Sequence, residues 1–255
     1  MLSRWRVPAK VNWTLEVLGR RSDGFHELRS WFLAVDAGDR LELDEGAAGL
    51  ELCGPEAAGV PVGEDNLVLR AEAAWRAAGG RTPAVRWRLE KRLPPGSGLG
   101  AGSADAAAAL LALEERAERP IGLAACRRLA AALGSDPPFF LGDAGAELRG
   151  GRGEIPLRGG EPPADLHLVL AWPGFPVPTG AVFAALAAPP LAEAPPEPPA
   201  GGMPVRPGRN DLAEAARRAF PALAAFAARL AEHGRFHLSG SGGAHFAAAS
   251  DPAQA

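Results

Sequence analysis

Tyrosine is absent from this 255-residue chain, and lysine and cysteine are each reduced to two residues, Lys10 and Lys91, Cys53 and Cys126. The basic side chains are therefore almost all arginine; they are dispersed along the sequence, and the net charge is -3. That distribution leaves no basic stripe to track a phosphodiester backbone, so no nucleic-acid partner is expected. The cysteines lie far apart without metal-ligand spacing, and residues 1–10 lack the apolar run of a secretory leader; both observations predict a cytoplasmic protein with reduced thiols. No apolar run reaches membrane-spanning length, because Arg and Glu interrupt the alanine-rich stretches, so no membrane partner is expected. Nor does any segment recur at a solenoid period.

What the chain does have is glycine, concentrated in one run: Pro94, Pro95, Gly96, Ser97, Gly98, Leu99, Gly100, Ala101, Gly102, Ser103 and Ala104, followed by an alanine-rich helical pattern. Glycine at every second position lets the backbone adopt positive φ and approach a ligand closely, and Ser103 is the expected N-cap of the helix. Free backbone N–H groups feeding a helix N-terminus suit a phosphate. Known phosphate motifs can be eliminated in turn. No lysine follows the glycines as a Walker loop requires, and the third glycine of G-x-G-x-x-G falls on Ala101 or Ser103. The H-R-D and D-F-G triplets of protein kinases are missing. A flexible linker is the alternative, but linkers rarely join an alternating strand to a helix.

The surrounding pattern predicts two domains, 1–158 and 159–255. Strand-like runs at 11–18, 30–35, 40–43 and 50–53 suggest an antiparallel sheet. A helix over 66–78 with Asp65 as its cap follows, then a strand at 85–90 in which Val85, Trp87 and Leu89 alternate with Arg86, Arg88 and Glu90. Helices are predicted over 104–118 and 123–133, the second closed by Gly134. The Gly/Arg-rich passage 149–160 marks the domain boundary, and a strand at 166–171 opens the second half. Proline-dense residues 189–208 read as an exposed excursion, followed by one long helix from Asn210 to His233 and two strands joined by the turn S-G-S-G-G.

Several residues outside the glycine run carry chemical potential. Lys10 and Asn12 share one face of the first strand. A strand lysine is ordinarily a solvated edge residue, but the pair could equally neutralise a transferring phosphoryl group and orient a hydroxyl. Asp136, in G-S-D-P-P-F-F, is either a turn former or a general base kept ionised by a neighbouring lysine. Phe25 and His26 could stack on and hydrogen-bond a planar heterocycle, or simply start a strand. The S-G-S-G-G turn is weak evidence alone, though it is a second anion-friendly loop.

Taken together, P-A-K-V-N at 8–12, D-G-F-H-E at 23–27, the glycine run, L-G-S-D-P-P-F-F at 133–140 and L-S-G-S-G at 238–242 resemble the galactokinase, homoserine kinase, mevalonate kinase and phosphomevalonate kinase (GHMP) superfamily. The match spans nearly the whole chain in order, and is most similar to the kinases of a cytidine-diphosphate-linked methylerythritol in non-mevalonate isoprenoid synthesis. The resemblance implies an α+β fold: a two-domain GHMP-kinase architecture with an N-terminal nucleotide domain like ribosomal protein S5 domain 2 and a C-terminal ferredoxin-like domain. It implies ATP on the glycine loop, its adenine near Asn66. The charge of a triphosphate calls for Mg2+ with the nucleotide; the sequence does not reveal its ligands, Ser103 and Asp105 being the candidates. By the same resemblance Lys10 and Asp136 are catalytic and Asn12 positions the C2 hydroxyl of the acceptor. His26 bonds the cytosine edge, Phe25 and Phe183 enclose its ring, and Thr179 contacts substrate. A monomer or weak homodimer is expected. The alternatives are another GHMP small-molecule kinase, of homoserine or mevalonate type, or a non-catalytic nucleotide-binding regulator on the same fold.

Three departures from the family pattern stand out. Phe25 replaces the usual tyrosine, losing a hydroxyl. Pro137 replaces the valine after Asp136 and is expected to hold Asp136 extended. The sequence stops at 251–255 where relatives continue with a further helix and strand, so the last layer of the second domain is expected to be missing and to leave an exposed sheet edge or a partner contact.

Overall fold

A computed structural model of the chain describes residues 2–191 and 195–249. The stop at 251–255 lies outside the described residues. Two compact units emerge, neither contiguous in sequence: Met1–Ala9, Val35–Pro95 and Gly100–Asp143 form the first, and Lys10–Ala34, Gly96–Leu99 and Ala144–Ala255 the second. This grouping differs from a single cut at 158/159. Two long strands, β1 (Leu2–Arg20) and β2 (His26–Glu45), each contribute to both units, and the predicted runs at 30–35 and 40–43 are both parts of β2.

In the first unit, β2 pairs antiparallel with β4 (Val85–Glu90), which pairs in parallel with β3 (Gly49–Cys53). The alternation read in β4 is real: Val85, Trp87 and Leu89 are buried while Arg86 and Arg88 are exposed. Three helices cover the sheet, α1 (Leu67–Ala77), α2 (Ala101–Glu115) and α3 (Leu123–Leu133). The cap of α1 is Asn66, not Asp65: its side-chain oxygen accepts from the Val68 N–H at 2.9 Å. Alanine lets α2 be buried on most of its faces, and α1, α3 and a 3-10 turn at Pro137–Leu141 pack around it. The core runs from Leu41 and Leu43 through Trp75 and Trp87 to Leu110 and Leu113.

Helix α2 starts three residues earlier than expected. Gly100 takes the left-handed conformation (φ 71°) and serves as N-cap, so Ser103 lies inside the first turn rather than capping it. Asp136 is also not extended: its φ of -84° and ψ of -31° are helical, because Pro137 occupies the first position of the 3-10 turn, where a missing N–H does no harm.

The second unit contains the hairpin β5 (Ala146–Gly150) and β6 (Ile155–Gly160), with β5 paired antiparallel to the Ser30–Leu33 part of β2. The passage 149–160 is therefore sheet, with Gly151 and Gly153 in its turn. A three-stranded antiparallel sheet follows in the order β7 (His167–Ala171), β9 (His245–Ala249), β8 (His237–Leu238). Against a core of Leu15, Val182, Leu212 and Leu223 pack α4 (Thr179–Ala185), α5 (Ala213–Ala219) and α6 (Pro221–Ala231). The last two replace the single long helix expected from Asn210, since Phe220 leaves helical geometry (φ -131°, ψ 88°) and Pro221 restarts the chain at a helix N-terminus. The proline-dense passage is strapped down: Trp13 Nε1 donates to the Pro204 carbonyl at 2.7 Å, Arg158 to those of Pro199 and Gly201, and Arg29 to that of Pro196. Among the described residues no helix is long and apolar enough to cross a membrane.

Candidate active site

Within the second unit, β1 presents Lys10 and Asn12 on one buried face. Lys10 Nζ donates to Asn12 Oδ1 at 2.7 Å, lies 4.7 Å from the Phe32 ring centroid and is 4% exposed, so it is not a solvated edge lysine. Asn12 Nδ2 in turn donates to Ser30 Oγ at 2.8 Å. Its amide thus fixes the ammonium, with one N–H and one lone pair left over.

Residues 96–99 of the glycine run and the S-G-S-G-G turn meet here as one hydrogen-bonded assembly. The Lys10 N–H donates to the Leu99 carbonyl (2.9 Å) and the Ala244 N–H to that of Ser97 (2.8 Å). Ser239 is fully buried and bridges both loops to the strand: its hydroxyl accepts from the Asn12 N–H (3.2 Å) and donates to the Gly98 carbonyl (3.1 Å). Glycine is obligatory at two points. A Cβ on Gly98 (φ +86°) would sit 2.4 Å from the Ser239 carbonyl oxygen, and one on Gly242 would meet the Gly98 nitrogen at 2.3 Å. Gly240 faces the Lys10 and Asn12 side chains. Asn210 holds the turn from behind, donating to the Leu238 and Gly240 carbonyls at 2.9 and 2.8 Å.

The same turn reaches α4, because Ser241 Oγ donates to Thr179 Oγ1 at 2.8 Å. His26 stacks on Phe183 with centroids 4.9 Å apart, and burial, with Arg20 nearby, holds its imidazole below the usual range, hence neutral at pH 7. Phe25 does not join that stack. Its ring is half exposed and has the Arg152 guanidinium 4.7 Å from its centroid.

In the first unit, α2 opens without a side-chain cap, so its leading N–H groups face outward from Gly100, Ala101, Gly102 and Ser103. A Cβ on Gly102 would meet only Leu67, at 3.5 Å. Pro94 and Pro95 precede this on the chain. Asn66 is buried and spends its amide on structure, capping α1 and donating to the Pro61 carbonyl at 2.7 Å. Asp136 is half-buried at the start of the 3-10 turn packed beside α2. Asp105 is not a free metal ligand: Lys91 Nζ donates to it at 2.7 Å and also to Asp39, which accepts from the Arg92 and Leu93 N–H groups as well. Burial, reinforced by Asp39 and opposed by Lys91, pushes the Asp105 carboxyl up to about 7. Among the described residues no group of three or more His, Cys, Asp or Glu could hold a metal ion.

Sequence reasoning passed over Ser239, Ser241, Asn210 and Ser30, which build the cluster around Lys10. The signal was present in L-S-G-S-G, but a glycine turn shows nothing of what it packs against until β9 brings it to β1.

Residues 66–143 match the GHMP kinases N terminal domain, and the class that this fold and site define is the GHMP kinases. A protein of Cereibacter sphaeroides (strain ATCC 17025 / ATH 2.4.3) named 4-diphosphocytidyl-2-C-methyl-D-erythritol kinase is 48% identical over 191 residues, 72% of this chain and 65% of its own length. The chain thus spans just under two thirds of that relative in the match. One of the same name from Dinoroseobacter shibae (strain DSM 16493 / NCIMB 14021 / DFL 12) is 40% identical over 263 residues, covering 98% of this chain and 86% of the relative. A crystal structure of 4-(cytidine 5'-diphospho)-2C-methyl-D-erythritol kinase superposes with a TM-score of 0.78 at 34% identity, over 99% of this chain and 92% of that one. The chain belongs to the family of 4-diphosphocytidyl-2-C-methyl-D-erythritol kinases.

Proposed function

We propose that this chain transfers the γ-phosphoryl group of ATP to the C2 hydroxyl of 4-diphosphocytidyl-2-C-methyl-D-erythritol. The observation that carries the reading is the buried Lys10–Asn12 pair locked to both glycine turns, within a family whose named members act on that compound. Lys10 is buried, with its ammonium on the Asn12 amide and beside the Phe32 ring, and a cation placed there suits an anionic reactant.

The chain's residues then divide the work. Backbone N–H groups of the glycine run and the open N-terminus of α2 bind the nucleotide phosphates. Lys10 offsets the charge that develops on the transferring group, and Asn12 keeps the ammonium in place. Asp136 accepts the proton of the acceptor hydroxyl. The neutral His26 offers one donor and one acceptor to the cytosine edge, with Phe183 behind it, and Thr179 contacts the acceptor. A magnesium ion bound with the nucleotide would neutralise phosphate charge. Asp105 does not fit as its ligand, being held by Lys91, whereas the Ser103 hydroxyl in the first turn of α2 does.

The deciding experiment measures ADP release from ATP with purified protein and one alcohol at a time. Turnover that depends on the cytidine-linked methylerythritol, with mevalonate and homoserine inert, is expected. Turnover of mevalonate or homoserine instead would replace the reading with another GHMP kinase activity, and ATP binding with no acceptor at all would leave a regulator.

A further inference from the structure

We propose that Arg152 is a positioning residue for the acceptor's nucleobase, acting through the ring of Phe25; this rests on the reading of the acceptor given above. Phe25 sits on the turn between β1 and β2, 51% exposed, and has no hydroxyl with which to anchor itself. A ring so exposed samples several rotamers unless something holds it, and binding a base to it would then carry the cost of ordering it. The Arg152 guanidinium, 4.7 Å from the ring centroid, covers one face.

Arg152 is itself firmly placed. Its N–H donates to Glu154 Oε2 at 2.6 Å, and its Nε lies 3.7 Å from Glu154 Oε1. The β5–β6 turn that carries it is tied to the segment bearing Phe25 by two bonds: Gly151 N–H to Glu27 Oε1 (2.9 Å) and Leu28 N–H to the Gly151 carbonyl (2.7 Å). Glu27 also receives Arg21 at 3.2 Å. Gly151 has a φ of +68°, a left-handed conformation that favours glycine at that point of the turn. Asp23 closes the arrangement by accepting from the Phe25 N–H at 3.1 Å, its carboxyl held below the usual range by that bond, by Arg21 and by the field of Arg152. Both the backbone and the ring of Phe25 are thus set by groups of one network, and on the functional reading above the ring's other face takes the planar base.

Steady-state kinetics on the full chain test this with Arg152→Met, Arg152→Lys, Phe25→Leu and the Arg152→Met/Phe25→Leu double variant. Arg152→Met is expected to raise KM for the cytidine-linked alcohol about two- to fivefold, the range of a partly exposed cation over a ring, with KM for ATP unmoved. Arg152→Lys, which keeps a cation, should recover most of the loss. On a Phe25→Leu background the Arg152→Met change should have almost no further effect. An equal rise on that background would mean that Arg152 meets the acceptor directly, and an unchanged KM or a matching rise in KM for ATP would mean a merely structural role; each overturns the inference. If Arg152→Met fails to unfold cooperatively, Arg152→Lys decides, a KM raised more than about tenfold counting against a role that any cation can fill. Failure of the unaltered chain to phosphorylate the alcohol would be seen first and would bring down the functional reading, and this inference with it.

Discussion

Lys91 is buried between Asp39 and Asp105, and these three side chains behave unequally. Removing the lysine leaves two buried carboxyl groups without their shared cation, only Asp39 keeping its backbone N–H donors, whereas removing the Asp105 charge leaves Lys91 still paired with Asp39. Urea unfolding should therefore show Lys91→Met losing about 3–5 kcal/mol and Asp105→Asn much less. Equal losses would mean that the burden is shared. Asp136 calls for a kinetic measurement instead: Asp136→Asn should cut kcat by at least about a hundredfold while ATP binding, followed by calorimetry, persists. An Asp136→Asn protein as active as its parent would remove the general base. At this scale the sequence was informative where a scarce residue type stood out, as with the two lysines. It marked the turn that carries Ser239 but not what the hydroxyl does, because its burial and its partners Asn12 and Gly98 are decided by contacts with residues far away along the chain.

Among the elements, those with a strong period were legible: β4 from its alternation, α1 and α3 from their apolar spacing and end signals. Misreadings arose where glycine or proline has two uses. Gly100 looked like loop but caps α2; Pro221 was read through and instead starts α6; the passage 149–160, read as a domain boundary, forms the β5–β6 hairpin. The contact between the two glycine-rich elements gives a sharp prediction. Gly98→Ala must place a methyl group 2.4 Å from the Ser239 carbonyl oxygen at a φ of +86°, so the loop has to shift away from β1. Activity should fall well over tenfold, with a loss of stability of about 1–3 kcal/mol by chemical denaturation. A fully active Gly98→Ala protein would show that the packing of the two turns is irrelevant to turnover.

For the whole molecule, protonation offers the test. Burial comes first among the causes holding His26, His237 and His245 below their ordinary 6.5, so around and below that pH the unfolded chain takes up protons that the folded one refuses. The histidines' contribution to stability should be level above pH 6.5 and decline as the pH drops through it. Asp105 works the other way. Its folded carboxyl titrates near 7 against an ordinary 3.8, so between those values the folded state holds the extra proton and gains stability on acidification. The urea midpoint, followed from pH 8 to pH 5, should fall more steeply in Asp105→Asn than in the parent; an identical slope would show that Asp105 does not titrate in this window.

The strand β9 (His245–Ala249) lies between β7 and β8, at the centre of its sheet, although it is among the last residues described. On the ribosome the first unit has its whole sequence once Asp143 emerges, but the three-stranded sheet must wait for its middle member. Until then β7 and the Ser239 turn have nothing to close on, and Lys10 stays without part of its cage. The cluster around Lys10 is therefore closed only once His245–Ala249 has been made, and a nascent chain stopped before His245 would carry Lys10 and Asn12 without the packed turn around them.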